Sequence, residues 1–190
     1  MKIVEGQKLI LGSGSPRRKE ILSLAGFEFD VLVSDVEENY PDDLPLRNVP
    51  EFLAIKKAKA IQEQFKIQNR AIITADTIVL INNEILGKPI DRNDAIQILQ
   101  KLSGATHEVL SGVCYLFNGQ VQSLTDITKV TFNKMNLKDI EYYVDEFKPY
   151  DKAGAYAIQE WIGVRNIHKI DGCYYNVMGL PMRKIIQELF

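Results

Sequence analysis

The feature that most constrains this chain is a strand that runs through a short glycine- and serine-rich loop directly into a helix. Residues 8–12 are mostly apolar and predict the strand, and the helix begins where Ser15 can cap it and Pro16 can take its first position. Gly26 is a suitable stop for that helix, and residues 27–33 predict a second strand. A strand, loop, helix and strand in this order indicate an α/β protein.

The rest of the chain alternates between helical and strand patterns. Apolar residues at helical spacing (Phe52, Ile55, Ala58, Ile61 and Phe65) predict an amphipathic helix, and Asn82-Asn83 and Asn118-Gly119 predict hairpin turns. The expected order is a loop at 34–50, the helix at 52–65, strand segments at 71–74, 77–81 and 84–86, a helix from Asp91 to Leu102, strands at 107–117 and up to about 132, a helix opened by Asn136 and Asp139, a loop at 149–163, a strand at 164–170 and a closing helix at 181–189. Since no linker or repeat interrupts this order, we expect one domain over residues 1–190.

Composition excludes several classes of function. The 190 residues suffice for one compact unit, and 23 basic against 25 acidic residues leave no positive field that would gather nucleic acid. The two cysteines lack Cys-x-x-Cys spacing and the two histidines are far apart, which argues against a zinc cluster. The longest apolar run, residues 71–81, is short and interrupted by Asp76. We therefore expect a cytoplasmic protein with reduced thiols and no membrane contact.

The loop after the first strand has the chemistry of an anion site. In Gly12-Ser13-Gly14-Ser15-Pro16-Arg17-Arg18, backbone N–H groups, hydroxyls and two guanidinium groups gather at one helix N-terminus. Positive side chains in a first helical turn oppose the helix dipole, so Arg17 and Arg18 make more sense facing a bound anion. The alternative, two solvated surface arginines, stays open at this point.

Asp76 is the second candidate, because it interrupts an apolar strand pattern and a buried carboxylate needs a cation or hydrogen-bond donors. We expect it at a sheet edge or bend, and a strand-end aspartate that caps a turn is the competing interpretation. Glu37 and Glu38 offer further carboxylates, while Lys57 and Lys88 could add positive charge. Taken singly, each of these is more typical of a protein surface.

An ordered set of motifs is more specific than any one of them. Gly-Ser-Gly-Ser-Pro-Arg-Arg, Glu-Glu, Ala-Asp-Thr, Gly-Lys-Pro, Leu-Ser-Gly-x-x-His, Lys-Ala-Gly-Ala-Tyr-x-Ile-Gln, Ile-Asp-Gly and Val-Met-Gly-Leu-Pro follow one another along nearly the whole chain. In this the sequence resembles the Maf family. The resemblance implies an elongated mixed-sheet α/β fold of two lobes around a deep nucleotide-binding cleft. It also implies hydrolysis of nucleoside triphosphates to monophosphates and pyrophosphate.

The resemblance further implies a role for each matching residue. Asp76 matches the proton acceptor, and Glu38 matches the second glutamate of the family's acidic pair, so we prefer it to Glu37 as a metal ligand. Magnesium or manganese suits carboxylates combined with phosphate oxygens, and Asp76 could hold that metal instead of acting as a base. The implied substrate-binding residues are Ser13, Arg17, Arg18, Lys57, Thr77, Lys88 and Gln159.

Three of these positions resemble the subgroup that acts on dTTP and UTP, namely Arg17, Thr77 and Gln159. A glutamine amide can donate to O4 of uracil or thymine and accept from N3–H, whereas cytosine presents the reversed pattern. His107 and Trp161 are given structural roles, because His107 precedes a strand and can bond a backbone carbonyl, and an aromatic residue at the spacing of Trp161 is more typical of packing. The alternative function is a nucleotide-binding regulator of cell division or septum formation with little turnover. The sequence also leaves a homodimer open.

Overall fold

The protein has a mixed α/β architecture, seen in a computed structural model that describes residues 8–189. The strands of these residues are β1 Leu9–Leu11, β2 Phe29–Val31, β3 Ile72–Ile81, β4 Glu84–Leu86, β5 Thr106–Phe117, β6 Gln120–Phe132 and β7 Ile167–Asp171. They form one seven-stranded mixed sheet with the strand order β2-β1-β3-β5-β6-β7, in which β4 pairs with β3. Among the described residues we find no helix with the length and apolar character of a membrane span. The helices are α1 Pro16–Leu24, α2 Val49–Gln64, α3 Arg92–Leu102, α4 Leu137–Phe147, α5 Trp161–Asn166, α6 Tyr174–Val177 and α7 Met182–Glu188, with 3₁₀ turns at Leu46–Asn48 and Ala153–Ala155.

By its internal contacts the chain divides into two compact units. The first unit comprises the described residues up to Asp76, residues 111–126 and those from Gly179 onward. The second comprises residues 77–110 and 127–178. Strands β3, β5 and β6 therefore each contribute residues to both units. The expectation of one domain over residues 1–190 stays a prediction.

In the first unit, β1 lies between two parallel neighbours, β2 and β3. Leu9 is in register with Phe29 of β2, and Ile10 with Ile72 of β3. Helix α1 starts at Pro16 with Ser15 extended in the cap position, although the Ser15 side chain makes no capping hydrogen bond. The predicted start of α1 is therefore confirmed.

The apolar face predicted for helix α2 is confirmed at Ala58 and Ile61, which are fully buried, and is wrong at Phe65. Phe52 and Ile55 are half-buried and Phe65 is exposed. The fully buried positions of the helix include Ala54, Ala58 and Ile61, which form one core cluster with Ile10, Ile72, Cys114 and Leu116. Small residues on this face let the helix approach the sheet closely.

Gly12 is required where β1 passes α2. A side chain there would place its Cβ 2.4 Å from Ile61 Cδ1 and 2.5 Å from Thr74 Cγ2, so only glycine fits without displacing both neighbours.

Strand β3 corrects one prediction. Residues 71–74 and 77–81 were expected as separate segments around an edge or bend at Asp76. The structure instead has a single strand, Ile72–Ile81, which lies inside the sheet between β1 and β5. The strand continues through the carboxylate because Asp76 has a cationic partner.

In the second unit most local signals are confirmed. Asn82 and Asn83 adopt positive φ values of 49° and 62°, and β3 turns through them into β4. Asp91 caps α3 by accepting from the Asp94 N–H at 2.8 Å, and Asn136 caps α4 by accepting from the Asp139 N–H at 2.8 Å.

The prediction for residues 149–170 is partly wrong. The expected loop ends in α5, and the expected strand at 164–170 is helical as far as Asn166. The β-branched Ile162 and Val164 favour a strand, but Gly163 allows a tight helical turn. A Cβ on Gly163 would lie 1.9 Å from the Ile158 carbonyl oxygen. The short helix α6 was not predicted.

Candidate functional site

One buried hydrogen bond fixes α2 against β3 and sets the geometry of the site. The Thr74 hydroxyl donates to the Ala54 carbonyl at 2.6 Å. Lys57 lies one helical turn beyond Ala54, and Asp76 lies two residues beyond Thr74 on the same face of the strand. The side chains therefore meet, and Lys57 Nζ donates to Asp76 Oδ1 at 2.6 Å.

The same ammonium group reaches a second carboxylate. Lys57 Nζ lies 2.8 Å from Glu38 Oε1. The Asp76 and Lys57 side chains are only 11% and 15% exposed, whereas that of Glu38 is 51% exposed. The Asp76 carboxylate is therefore buried and the Glu38 carboxylate is open to solvent, so a polar ligand can approach the two carboxylates from the side of Glu38.

Glu38 and Glu37 differ in their surroundings, which bears on the choice between them. Glu37 accepts from the Asn39 amide at 3.0 Å on the surface, whereas Glu38 contacts Lys57. The structure therefore brings Glu38 beside Asp76.

Arg18 occupies a fixed position at the start of α1. Its Nε donates to the Gly179 carbonyl at 2.9 Å, and its Nη1 donates to the Ser13 hydroxyl at 3.1 Å. Burial lowers the pKa of the Arg18 guanidinium, while the negative charge of Asp76 opposes that shift. Arg18 is therefore no freely solvated surface arginine, and it lies within the electrostatic field of Asp76. Arg17 is half-buried in the same helical turn.

The loop of the predicted anion site has fewer spare donors than the sequence suggested. The Gly12 N–H donates to the Ile73 carbonyl at 2.8 Å, and the Ser15 N–H donates to the Ser13 hydroxyl at 3.3 Å. These two N–H groups are already used within the protein. The cationic character of the loop therefore depends chiefly on its arginine side chains.

Sequence reasoning missed the part that the Gly179 carbonyl plays in holding Arg18. Gly179 lies in Val-Met-Gly-Leu-Pro, a motif that was used only as part of the family resemblance. A glycine before an apolar residue and a proline indicates a turn ahead of the closing helix, and Gly179 does adopt a φ of 109°.

The other three predicted site residues belong to the second unit. Thr77 follows Asp76 in β3 and, because successive strand residues project to opposite faces, its side chain leaves the strand on the other side. Lys88 and Gln159 are both exposed. The segments that carry them are joined by one backbone hydrogen bond, from the Gly154 N–H to the Gly87 carbonyl at 3.0 Å.

A metal ion would have two protein carboxylates available beside Lys57. In residues 8–189 no group of three or more histidine, cysteine, aspartate or glutamate side chains could hold a metal. Asp76 and Glu38 converge on one ammonium group, and Mg²⁺ is commonly held by one or two carboxylates together with substrate phosphates. The two residues thus fit a cation that arrives with, or is completed by, a phosphate chain.

His107 and Trp161 have structural surroundings, as their sequence context predicts. His107 Nε2 bonds the Tyr156 hydroxyl at 2.7 Å, where a backbone carbonyl had been considered, and its ring stacks on Phe132 at 5.6 Å. Burial lowers the pKa of His107 to about 4. Trp161 packs against Tyr142, with ring centroids 4.9 Å apart.

Comparison with known proteins gives the family. A family model described as Maf-like protein matches residues 8–190. The chain belongs to this family. The family resemblance seen in the ordered motifs is therefore confirmed.

Individual family members are similar along nearly their whole length. The chain is 45% identical over 184 residues to the dTTP/UTP pyrophosphatase of Flavobacterium psychrophilum, which covers 97% of this chain and 94% of the relative. It is also 45% identical over 187 residues to the dTTP/UTP pyrophosphatase of Phocaeicola vulgatus, covering 98% and 96%. Among solved structures, the Staphylococcus aureus Ham1 protein is a weak match, with a TM-score of 0.48 at 12% identity over 66% of this chain and 72% of that one.

Proposed function

We propose that this Maf family member is a nucleoside triphosphate pyrophosphatase that hydrolyses dTTP and UTP to the nucleoside monophosphate and pyrophosphate. The observation that carries the proposal is the Lys57 ammonium bound to both Asp76 and Glu38, in the unit that also holds Arg18 against Ser13. Relatives named dTTP/UTP pyrophosphatase, at 45% identity over nearly the full chain, support the substrate class.

The chemistry required is cleavage of the phosphoanhydride bond between the α- and β-phosphates by water. The phosphate chain repels a nucleophile, so cationic groups must neutralise it, and the pyrophosphate leaving group must be stabilised. Lys57 and Arg18 supply fixed positive charge for both purposes. Asp76 would either accept the proton of the attacking water or hold a divalent cation that supplies an activated water.

We also propose a magnesium or manganese ion held by Asp76 and Glu38. Such an ion polarises phosphate oxygens and lowers the pKa of a bound water. Excess chelator should abolish turnover, and added Mg²⁺ or Mn²⁺ should restore it. Full activity in excess chelator would remove the metal from the proposal.

The most informative experiment incubates the purified chain with dTTP, UTP, CTP, GTP and ATP and identifies the products. We expect equimolar monophosphate and pyrophosphate, with dTTP and UTP preferred. Release of inorganic phosphate and a diphosphate would refute the bond assignment. Tight nucleotide binding without turnover would favour the alternative, a nucleotide-binding regulator of cell division.

We propose, from the family resemblance, that Gln159 recognises the base, that Arg17 and Thr77 position the base or its neighbouring phosphates, and that Lys88 adds charge for the phosphates. A carboxylate cannot donate to O4, so Gln159→Glu should lower kcat/KM for dTTP and UTP by about 5- to 150-fold, the equivalent of about 1–3 kcal/mol for an unsatisfied buried polar group. CTP should lose less, because its amino group can donate to the new carboxylate. An equal fall for all three nucleotides would mean that Gln159 does not contact the base.

The compartment and the partners remain part of the proposal. Cys114 and Cys173 are both free thiols, which supports the reducing cytoplasm. The absence of nucleic-acid binding and the open question of a homodimer stay predictions from the sequence.

A further inference from the structure

The segment that carries Gln159 is held from beneath by buried polar side chains. Gln159 itself is exposed, but Ile158 before it is buried and Glu160 after it is only 23% exposed at its side chain. The packed neighbours on both sides fix the backbone from which the Gln159 side chain leaves.

Tyr143 of α4 is the central contact of this support. Tyr143 is fully buried, and its hydroxyl donates to Glu160 Oε2. The Tyr143 hydroxyl oxygen also accepts from the Ala157 N–H at 3.3 Å. One phenol oxygen therefore bonds the chain two residues before Gln159 and one residue after it.

A buried ammonium group holds Glu160 from the other side. Lys152 Nζ lies 3.5 Å from Glu160 Oε1, and the Lys152 side chain is only 10% exposed. Glu160 thus contacts a phenol with one carboxylate oxygen and a cation with the other. Burial and the bond to Glu160 both raise the pKa of the Tyr143 hydroxyl, which keeps it protonated as a donor.

Backbone packing fixes the beginning of the same segment. Gly154 has a φ of 70°, and a Cβ there would lie 2.8 Å from Val79 Cγ2, so this turn sits directly on β3. Next in the chain, the Tyr156 hydroxyl bonds His107 at 2.7 Å. The segment therefore has several fixed points, and those made by Tyr143 lie nearest to Gln159.

We propose that Tyr143 and Glu160 are positioning residues that hold the Gln159 amide in the orientation needed to distinguish uracil and thymine from cytosine. The inference rests on the proposed function. Neither residue needs to touch the nucleotide. Tyr143 bonds the Ala157 N–H before Gln159 and the Glu160 carboxylate after it, and these contacts hold the chain on both sides of Gln159.

The test measures selectivity, which a purely structural role would not change. Tyr143→Phe keeps the ring and removes both hydrogen bonds. We expect KM for dTTP to rise by about 5- to 10-fold with kcat little changed, because a misoriented Gln159 amide forms weaker hydrogen bonds with the base. For CTP, KM should change less, so the ratio of kcat/KM for dTTP to that for CTP should fall.

Two Glu160 variants and two controls separate this effect from general damage. Glu160→Gln keeps an acceptor for Tyr143 and should cost less selectivity than Glu160→Ala. Tyr175→Phe removes an exposed phenol of the same unit, and Glu146→Gln neutralises an exposed carboxylate of α4. Both controls should keep the wild-type ratio.

A combined variant decides between positioning and coincidence. In Gln159→Ala protein, adding Tyr143→Phe should have no further effect on selectivity, because the group being positioned is gone. An unchanged dTTP-to-CTP ratio in folded Tyr143→Phe protein overturns the inference and leaves the proposed function intact. If the wild-type chain turns over no nucleotide, the proposed function fails and the positioning role fails with it.

Discussion

Replacing Lys57 with methionine tests the charge arrangement of the site, because methionine keeps most of the side-chain volume without its charge. In the wild type, Lys57 Nζ lies 2.6 Å from Asp76 Oδ1, and both side chains are largely buried. A hydrogen bond between charged groups contributes about 1.5–3 kcal/mol. The contact to the half-exposed Glu38 adds only about 0–1 kcal/mol. We therefore expect the free energy of unfolding to fall by roughly 2–3 kcal/mol.

The assay combines unfolding with turnover. For a chain of this size each 1 kcal/mol lowers Tm by about 2–4 °C, so Tm of Lys57→Met should fall by about 4–12 °C. Its kcat/KM should fall by about 100-fold or more, as for loss of a group that stabilises transition-state charge. Lys59→Met, which removes an exposed lysine of the same helix, should leave both quantities near their wild-type values.

A double-mutant cycle shows whether the effect passes through Asp76. In Asp76→Asn protein the buried carboxylate is gone, so adding Lys57→Met should cost at least about 1 kcal/mol less than it does in the wild type. Equal costs in both backgrounds would refute the argued coupling between these two side chains.

Two further predictions concern the parts of the fold that support the site. Burial lowers the pKa of His107 to about 4, so between pH 6.5 and 4 the unfolded chain binds the proton more readily and stability falls as pH falls. From pH 7 to pH 5, urea unfolding of the wild type should therefore show a loss of about 2 kcal/mol in the free energy of unfolding that His107→Asn protein lacks. Parallel pH profiles of the two proteins would contradict this prediction. At Gly112 an added Cβ would lie 2.1 Å from the Glu51 nitrogen and 2.2 Å from the Pro50 carbonyl carbon, so Gly112→Ala should displace the start of α2 and lower the free energy of unfolding by about 1–3 kcal/mol or more. A Cβ on Gly87 would meet nothing within 4 Å, so Gly87→Ala should not lower the stability of the protein. Equal thermal midpoints for these two variants would refute the packing argument.

Local sequence signals predicted most of the elements because their causes are local. Asp91 and Asn136 cap their helices with their own side chains, and Asn82-Asn83 form the hairpin turn by adopting positive φ. These interactions span only two to four residues, so they can be recognised in a linear sequence. The α/β class followed from the same signals.

The errors arose where a specific contact between residues, and not intrinsic propensity, decides the outcome. Asp76 was expected to break β3, yet Lys57, which lies 19 positions earlier, satisfies the carboxylate and lets the strand continue. Residues 164–166 form a helix because Gly163 packs against the Ile158 carbonyl, and propensity alone does not reveal that contact.

The candidate site shows the same division between local and distant information. The resemblance indicated Ser13, Arg18, Glu38, Lys57 and Asp76, and the first unit brings these five residues together. The hydrogen bond from Arg18 to the Gly179 carbonyl spans 161 positions, and the glycine in Val-Met-Gly-Leu-Pro does not reveal that partner. The support of Gln159 by Tyr143 and Glu160 likewise depends on tertiary packing.

The central claim is that the carboxylate held by Lys57 performs the chemistry, and Asp76→Asn tests it most directly. The amide keeps the size of the side chain and removes its charge. The measurement is the rate of pyrophosphate release from dTTP with saturating Mg²⁺, beside Asp30→Asn, a control at an exposed ion pair with Arg70. We predict that the folded Asp76→Asn protein loses at least about 100-fold in kcat and the control loses nothing. Near-wild-type kcat in folded Asp76→Asn protein would contradict the account.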